Sequence, residues 1–250
     1  MTAGDGTMTR HILSAGPDDD AEAISGRFEL QVGTTRIPVE VRVPAGAVRT
    51  RDLLPLLGGL ADLFADRAAA RACAAGRPPS CQAGCGACCH QAVPVSASEA
   101  LFIAHLVATM PEPRRGVLTA RFAAARARIA ESGLMARRDR LDDEEVAAFG
   151  LSYFGLGIAC PFLEDGSCSI HPVRPLACRE YLVTSPPSCC AAPSAESIDM
   201  LPLEASLSRA LRIYEREAGW TLLSLALDFT CDEPAARPAP EILADLLARL

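Results

Sequence analysis

Seven cysteines stand in two short groups, Cys81-x3-Cys85-x2-Cys88-Cys89 and Cys160-x7-Cys168-x9-Cys178. Thiolates at such spacing are donors for a soft metal ion. Cys85-Gly86-Ala87-Cys88 is a knuckle, in which a tight turn brings two thiolates to one ion while backbone N–H groups bond the sulfurs; Gly84 and Gly86 permit that turn. Cys81 before it and Cys89 directly after it strengthen the pattern. Neighbouring side chains diverge, so the pair Cys88-Cys89 suggests two metals or a cluster with several iron corners. One tetrahedral zinc or one four-iron cluster uses four thiolates, and three of the seven are then left over. They could form a second site completed by His171, Cys189 or Cys190, share metals through bridging sulfur, or be structural. Zinc and iron both suit the donor set.

Two arginines accompany the second group. Four thiolates on Zn²⁺ or on an oxidised four-iron cluster leave a net charge of about −2. A guanidinium from Arg174 or Arg179 would offset that charge and donate to sulfur; the ordinary alternative is an ion pair with Glu180 or another acid. His90 adjoins Cys89 and is a further candidate donor. Cys73 and Cys231 lie outside both groups and are expected to be small core residues, Tyr181 to be packing, and His105 to sit on a helix at the core margin.

Composition decides between metal and disulfides. Cysteine is 11 of 250 residues, below the ~8–10% of a stapled secreted scaffold, and a chain this long, half of it apolar, can bury a core unaided. No charged start followed by an apolar block marks a secretory signal, and no apolar stretch approaches the ~20 residues of a spanning helix. A soluble cytoplasmic protein without membrane partner is expected, in a compartment that keeps thiols reduced. All 24 basic residues are Arg, and Lys and Asn are absent, which excludes a Walker-type phosphate loop and Schiff-base chemistry. The net charge of −7 speaks against nucleic acid. The arginines from Arg114 to Arg140 are followed by Asp142-Asp143-Glu144-Glu145 with few aromatics between, the pattern of a solvated helix face.

The elements that must position these groups read as mainly α with a small β-hairpin, the Cys-rich loops packed between helices. Residues 1–26, rich in Gly and Asp, are expected to be disordered. Phe28, Leu30 and Val32, then Ile37, Val39, Val41 and Val43, alternate with polar residues around Gly33-Thr34-Thr35, a hairpin with one buried face. A helix over 52–75 completes a 27–75 unit, with Pro55 in its first turn and Gly58-Gly59 weakening it. The cysteine domain spans 76–190. Inside it Ser96-x-x-Glu99 is a capping box that opens a helix through Met110, and another helix runs from Arg114 to Glu131, ending near Gly133. Residues 201–218 and 241–250 supply C-terminal helices packed on the same domain.

Cys81-Gln-Ala-Gly-Cys85-Gly-Ala-Cys88-Cys89, followed by Cys160-Pro-Phe-Leu-x4-Cys168-Ser-Ile-His171-Pro-Val-Arg174-Pro175-Leu-Ala-Cys178-Arg179, resembles the CxxCxxCC or YkgJ-type cysteine-cluster family over residues 81–181. Two departures are an x3 first spacing where the shortest form has x2, and a helical insert of about 70 residues between the halves. The resemblance implies a zinc- or iron-chelating domain. The cysteine motif is also similar to that of the larger flagellin lysine methylases, which implies an alternative, an iron–sulfur enzyme of methyltransferase or redox type. No Gly-rich strand–helix turn of the nucleoside-binding kind accompanies it. A thiol redox protein using Cys88-Cys89 or Cys189-Cys190 is the third reading.

Overall fold

The computed structural model describes residues 11–14, 23–32, 35–136, 143–194 and 197–250. The alternating segments form the expected hairpin: β2 (Ala23–Val32) pairs antiparallel with β3 (Thr35–Pro44), Val32 opposite Thr35. The two connecting residues lie outside the described ones. A third strand, β1 (His11–Ser14), adds parallel to β3 and gives the order β1-β3-β2. Strand structure thus begins before Arg27, because β3 is long enough to pair both with β1 and with β2 from Ala23 onward. The expected disordered start otherwise falls on residues 1–10 and 15–22, outside the described residues. Leu30, Val32, Ile37, Val39, Val41 and Val43 are all buried, so one face of the sheet is core, as a period of two requires.

That face packs on α1 (Leu54–Ala74), which follows β4 (Ala47–Val48) and a 3-10 turn at Thr50–Leu53. Pro55 lies in its first turn, where the missing N–H costs nothing. Gly58 and Gly59 do not break the helix. They provide clearance: a Cβ at Gly59 would lie 2.8 Å from Leu13, and one at Gly58 would lie 3.3 Å from the Arg179 guanidinium.

β5 (Pro94–Ser96) leads into α2 (Ala97–Ala108). The capping box is formed, with Ser96 Oγ accepting from Glu99 N and Glu99 Oε2 from Ser96 N. α3 (Arg114–Ser132) stops at Gly133, which takes the left-handed conformation at φ 65°. α4 (Asp143–Gly155) was not expected. A small hairpin of β6 (Leu163–Glu164) and β7 (Ser167–Cys168) precedes α5 (Leu176–Glu180) and α6 (Pro187–Ala191). The helix expected over 201–218 shrinks to α7 (Leu207–Tyr214), since the backbone at Met200 and Leu201 pairs instead with Val183 and Leu182. β8 (Trp220–Leu222) pairs with β5 and β9 (Arg237–Pro238) with β4, and α8 (Ala239–Leu247) follows.

The outcome is a protein about half helical with small sheets. Its largest apolar cluster joins the sheet, α1, α7 and α8, so the hairpin is part of the principal core and not an accessory. A second cluster joins α2, α3 and the segment after β8 around the edge-on pair Phe122 and Phe162, 5.5 Å apart. The third lies between α3 and α4. Among the described residues no helix is long and apolar enough to cross a membrane.

Candidate metal centre

The first cysteine loop leaves α1 and is tied at once to a distant segment: Ser80 N donates to Val183 O at 2.9 Å and Ser80 Oγ to Ser185 O at 2.5 Å. Gly84 turns the chain at φ 83°, and Ala87–His90 form a 3-10 turn with Cys89 N bonded to Gly86 O. Gly86 has φ −99°, so its backbone does not need glycine. Its surroundings do: a Cβ there would lie 2.5 Å from Gly166 O and 2.7 Å from Leu163 Cδ1. Only a residue without a side chain lets the knuckle sit against the β6–β7 hairpin that carries Cys168. Cys160 N donates to Cys89 O at 2.7 Å, and α6, bearing Cys189 and Cys190, packs on the 3-10 turn.

The second group is held from the helical insert. Arg121 Nη1 donates to Pro161 O at 3.0 Å, Arg128 Nη1 reaches Gly157 O at 3.4 Å, and Arg114 and Arg121 pair with Glu164 at 3.7 and 3.6 Å. The arginine face of α3 is therefore not merely solvated; it clasps the loop through Cys160. Arg137, Arg138, Arg140 and Asp142 lie outside the described residues. Asp165 at φ 48° and Gly166 at φ 76° make the β6–β7 turn. Cys178 is placed by Glu99, whose second oxygen accepts from Leu176 N at 2.8 Å. One buried carboxylate thus caps α2 and fixes the start of the helix that carries Cys178.

The thiols feel one another. Burial, then the Cys168 and Cys88 charges, pushes the Cys160 thiol up to about 12 against the opposing Phe162 N–H. Cys178 is raised well above the ordinary range by burial and then by Cys160, Cys88, Cys168 and Glu99. Cys88 is raised by its hydrogen bond with Cys89 and by burial. Cys81, Cys168 and Cys190 are each raised first by burial and further by Cys88. Cys81 and Cys190 also respond to Cys85. Cys88 bears on each of Cys81, Cys160, Cys168, Cys178 and Cys190, and Cys85 on Cys81 and Cys190. Among the described residues no three His, Cys, Asp or Glu side chains stand as a ready-made cage. Charge acts over longer distances than the ~2.3 Å of a zinc–sulfur bond. The donors suit a soft cation in kind, since buried thiols resist ionisation without a compensating charge.

Other candidates separate from this group. His171 is exposed, and the charges that bear on it are Arg174, Arg179 and Asp62, the two arginines lowering its pKa. His90 is half-buried at the end of the 3-10 turn, and His105 is exposed on α2. Cys73 is exposed near the end of α1 and Cys231 is half-buried beside Glu215, Glu233 and Asp232, so neither is a core residue. Arg179 is buried and pairs with Asp62 at 2.6 Å, donating also to the carbonyls of Pro172 and Arg174. Glu180, its expected partner, instead accepts from Ser206 Oγ, Ser208 N and Ser208 Oγ. Tyr181 is half-buried, and burial pushes its hydroxyl up to about 12, with Gln91 opposing and Cys190 adding to the shift. Neither these neighbours nor the second contact of Glu99 has a signal in local spacing. Between α1, α2 and residues 172–179 lies a cleft of about 260 Å³, walled by Leu54, Phe102, Ile103 and Val173, with Arg174 and Arg179 among its lining residues.

Helices and small sheets that carry clustered cysteines on separate loops make this a cysteine-rich protein. Residues 80–199 match the model of the CxxCxxCC family, described as a putative zinc- or iron-chelating domain. No curated protein and no solved structure matches the chain.

Proposed function

We infer that the cysteine region holds zinc or iron through Cys81, Cys85, Cys88, Cys89, Cys160, Cys168 and Cys178, with Cys190 as a further ligand, and that its first role is to bind that metal. The observation that supports this reading is the packing of both cysteine groups and α6 at the 3-10 turn: Cys160 N donates to Cys89 O at 2.7 Å, Gly86 lies against Gly166 of the hairpin that carries Cys168, and α6 packs on the turn. A bound cation would neutralise the thiolates and cross-link the loops that carry them. The side chains around it do the rest: Gly86 gives close approach, the α3 arginines hold the Cys160 loop, and Glu99 and Tyr181 orient Cys178 and Cys190. More than four thiols favour an iron cluster over one zinc. A reducing compartment such as the cytoplasm keeps them available.

Full-length protein made without air, with iron and sulfide supplied, is expected to be brown and to contain both. Stoichiometric zinc without acid-labile sulfide would replace iron by a structural zinc site. Protein that takes up neither metal would reject the reading. An iron–sulfur enzyme of methyltransferase or redox type is a second reading, favoured by the cleft beside the segment that carries Arg174 and Cys178. It requires that a small organic substrate alter the cluster spectrum.

A further inference from the structure

The cleft between α1, α2 and residues 172–179 has no cysteine among its lining residues, so its chemistry is separate from that of the metal centre. Its walls are apolar, from Leu54 and Pro55 on α1, Phe102 and Ile103 on α2, and Val173, and its charged groups are Asp62, Glu99, Arg174 and Arg179. Three of these four are engaged. Arg179 Nη1 donates to Asp62 at 2.6 Å, and its other nitrogens donate to the carbonyls of Pro172 and Arg174. Glu99 accepts from the N–H groups of Ser96 and Leu176 and faces the Arg212 charge. Arg174 differs: its Nε is buried without a partner, and no carboxylate among the described residues pairs with it. A guanidinium cannot lose its proton, so a buried donor of this kind costs free energy until an acceptor reaches it. Local sequence holds the backbone there: Pro175 restricts the residue before it to extended conformations, and Arg174 has φ −61° and ψ 151°.

We propose that this cleft is a binding site for a small organic monocarboxylate with an aryl or branched apolar body, its carboxylate on the free edge of Arg174 and its body against Leu54, Phe102, Ile103 and Val173. The planar fork of a guanidinium matches a carboxylate through two parallel bonds. Charge sets the valence: with Arg179 balanced by Asp62 and Glu99 by its own partners, one positive charge is left over, and two fixed carboxylates nearby disfavour a dianion. Volume sets the size. The cleft measures about 260 Å³, just under the ~300 Å³ at which small-molecule pockets begin, which is room for a single ring or a short branched chain and not for a nucleotide. This reading stands on the cleft alone and needs neither the metal nor a reaction.

The test titrates the full chain with phenylacetate, and with phenylacetamide, phenethylamine and phenyl phosphate for comparison, following the backbone amide resonances. Phenylacetate is expected to shift the resonances of residues 99–103 and 172–179, which line or flank the cleft. It should bind at least about 10-fold more tightly than the neutral amide, the contribution of a charge-assisted pair, and phenethylamine should not bind. Arg174→Met should abolish the preference, leaving weak and equal binding of acid and amide, and Arg174→Lys should restore part of it. Phe102→Ala should weaken acid and amide alike. The comparison of acid with amide on the unaltered chain decides the head group even where a variant is unstable. Equal affinity for acid and amide overturns the proposal, as does a carboxylate preference that survives in Arg174→Met, tighter binding of phenyl phosphate, shifts confined to other regions, or no shift with any of the four compounds. Metal uptake is measured separately: its failure rejects the metal reading and leaves binding of the acid to the cleft as it was.

Discussion

Around α1 the chain buries Leu53, Leu56, Leu57, Leu60 and Phe64, each at 2% exposure or less, against the sheet, α7 and α8. Around the 3-10 turn Ala87–His90 no residue of the turn is fully buried, and what joins the segments is backbone hydrogen bonding, arginine to carbonyl, and thiols facing thiols. The first region gains its stability from apolar area removed from water, at roughly 25 cal/mol per Å². The second buries Phe162 and Ile170 between its cysteines, yet the first loop itself is joined mainly through polar groups, so a ligand on the thiols would add most there. The two regions should therefore respond differently to the same perturbation.

The largest effect lies in the apolar region. Phe64→Ala, at a site with no exposure, is expected to cost about 3–5 kcal/mol in urea unfolding. The cost should be equal with metal present or chelated; a metal-dependent cost would show that the two regions are not energetically separate. Next comes the ligand itself. Chelation, Cys85→Ser or Cys88→Ser should remove metal and about 2–4 kcal/mol of stability at saturating metal, with amide protection lost at 80–90 and 160–178 and retained in α1. Cys73→Ser and Cys231→Ser should leave metal content unchanged. Because burial holds the thiols of Cys160 and Cys178 protonated, binding must displace protons, and metal affinity should rise with pH. An affinity flat in pH would remove these thiols from the site.

Gly86→Ala sharpens the comparison at a point where the backbone is permissive and the neighbour is not. Its Cβ would meet Gly166 O and Leu163, so about 1–3 kcal/mol of destabilisation is expected, accompanied by weaker metal binding as the two cysteine loops are pushed apart. Loss of stability with unchanged metal affinity would place the ligands on one side of that contact only. The smallest effect concerns Glu99, whose carboxyl is raised by burial against the Ser96 and Leu176 N–H bonds and the Arg212 charge. A carboxyl raised in the folded state contributes most below its ordinary pKa, and that contribution is lost as pH rises through the folded value. Metal-free Glu99→Gln should therefore show a flatter decline of urea midpoint than wild type as pH rises above the ordinary carboxylate range. Glu215 is raised in the same way and should account for the slope that remains.

Local chemistry in the sequence determined a good deal. The alternation of Leu30, Val32, Ile37 and Val39, the Ser96–Glu99 box and the stop at Gly133 depend on neighbours a few residues away, and they specify β2, β3, α2 and α3 wherever those elements end up. The knuckle and the two cysteine groups announced a soft-metal chemistry for the same reason. Tertiary structure alone decided the partners. It set Gly58 against Arg179 and Gly86 against Gly166, took Arg179 to Asp62, packed α6 with Cys190 on the 3-10 turn of the first motif, and left Cys73 exposed. It also took Leu201 out of the expected helix by bonding its N–H to Leu182 O. None of these contacts follows a period of two or 3.6, because each joins residues far apart in the chain. Their geometry is fixed only once the apolar clusters have brought α1, α3 and the cysteine loops together.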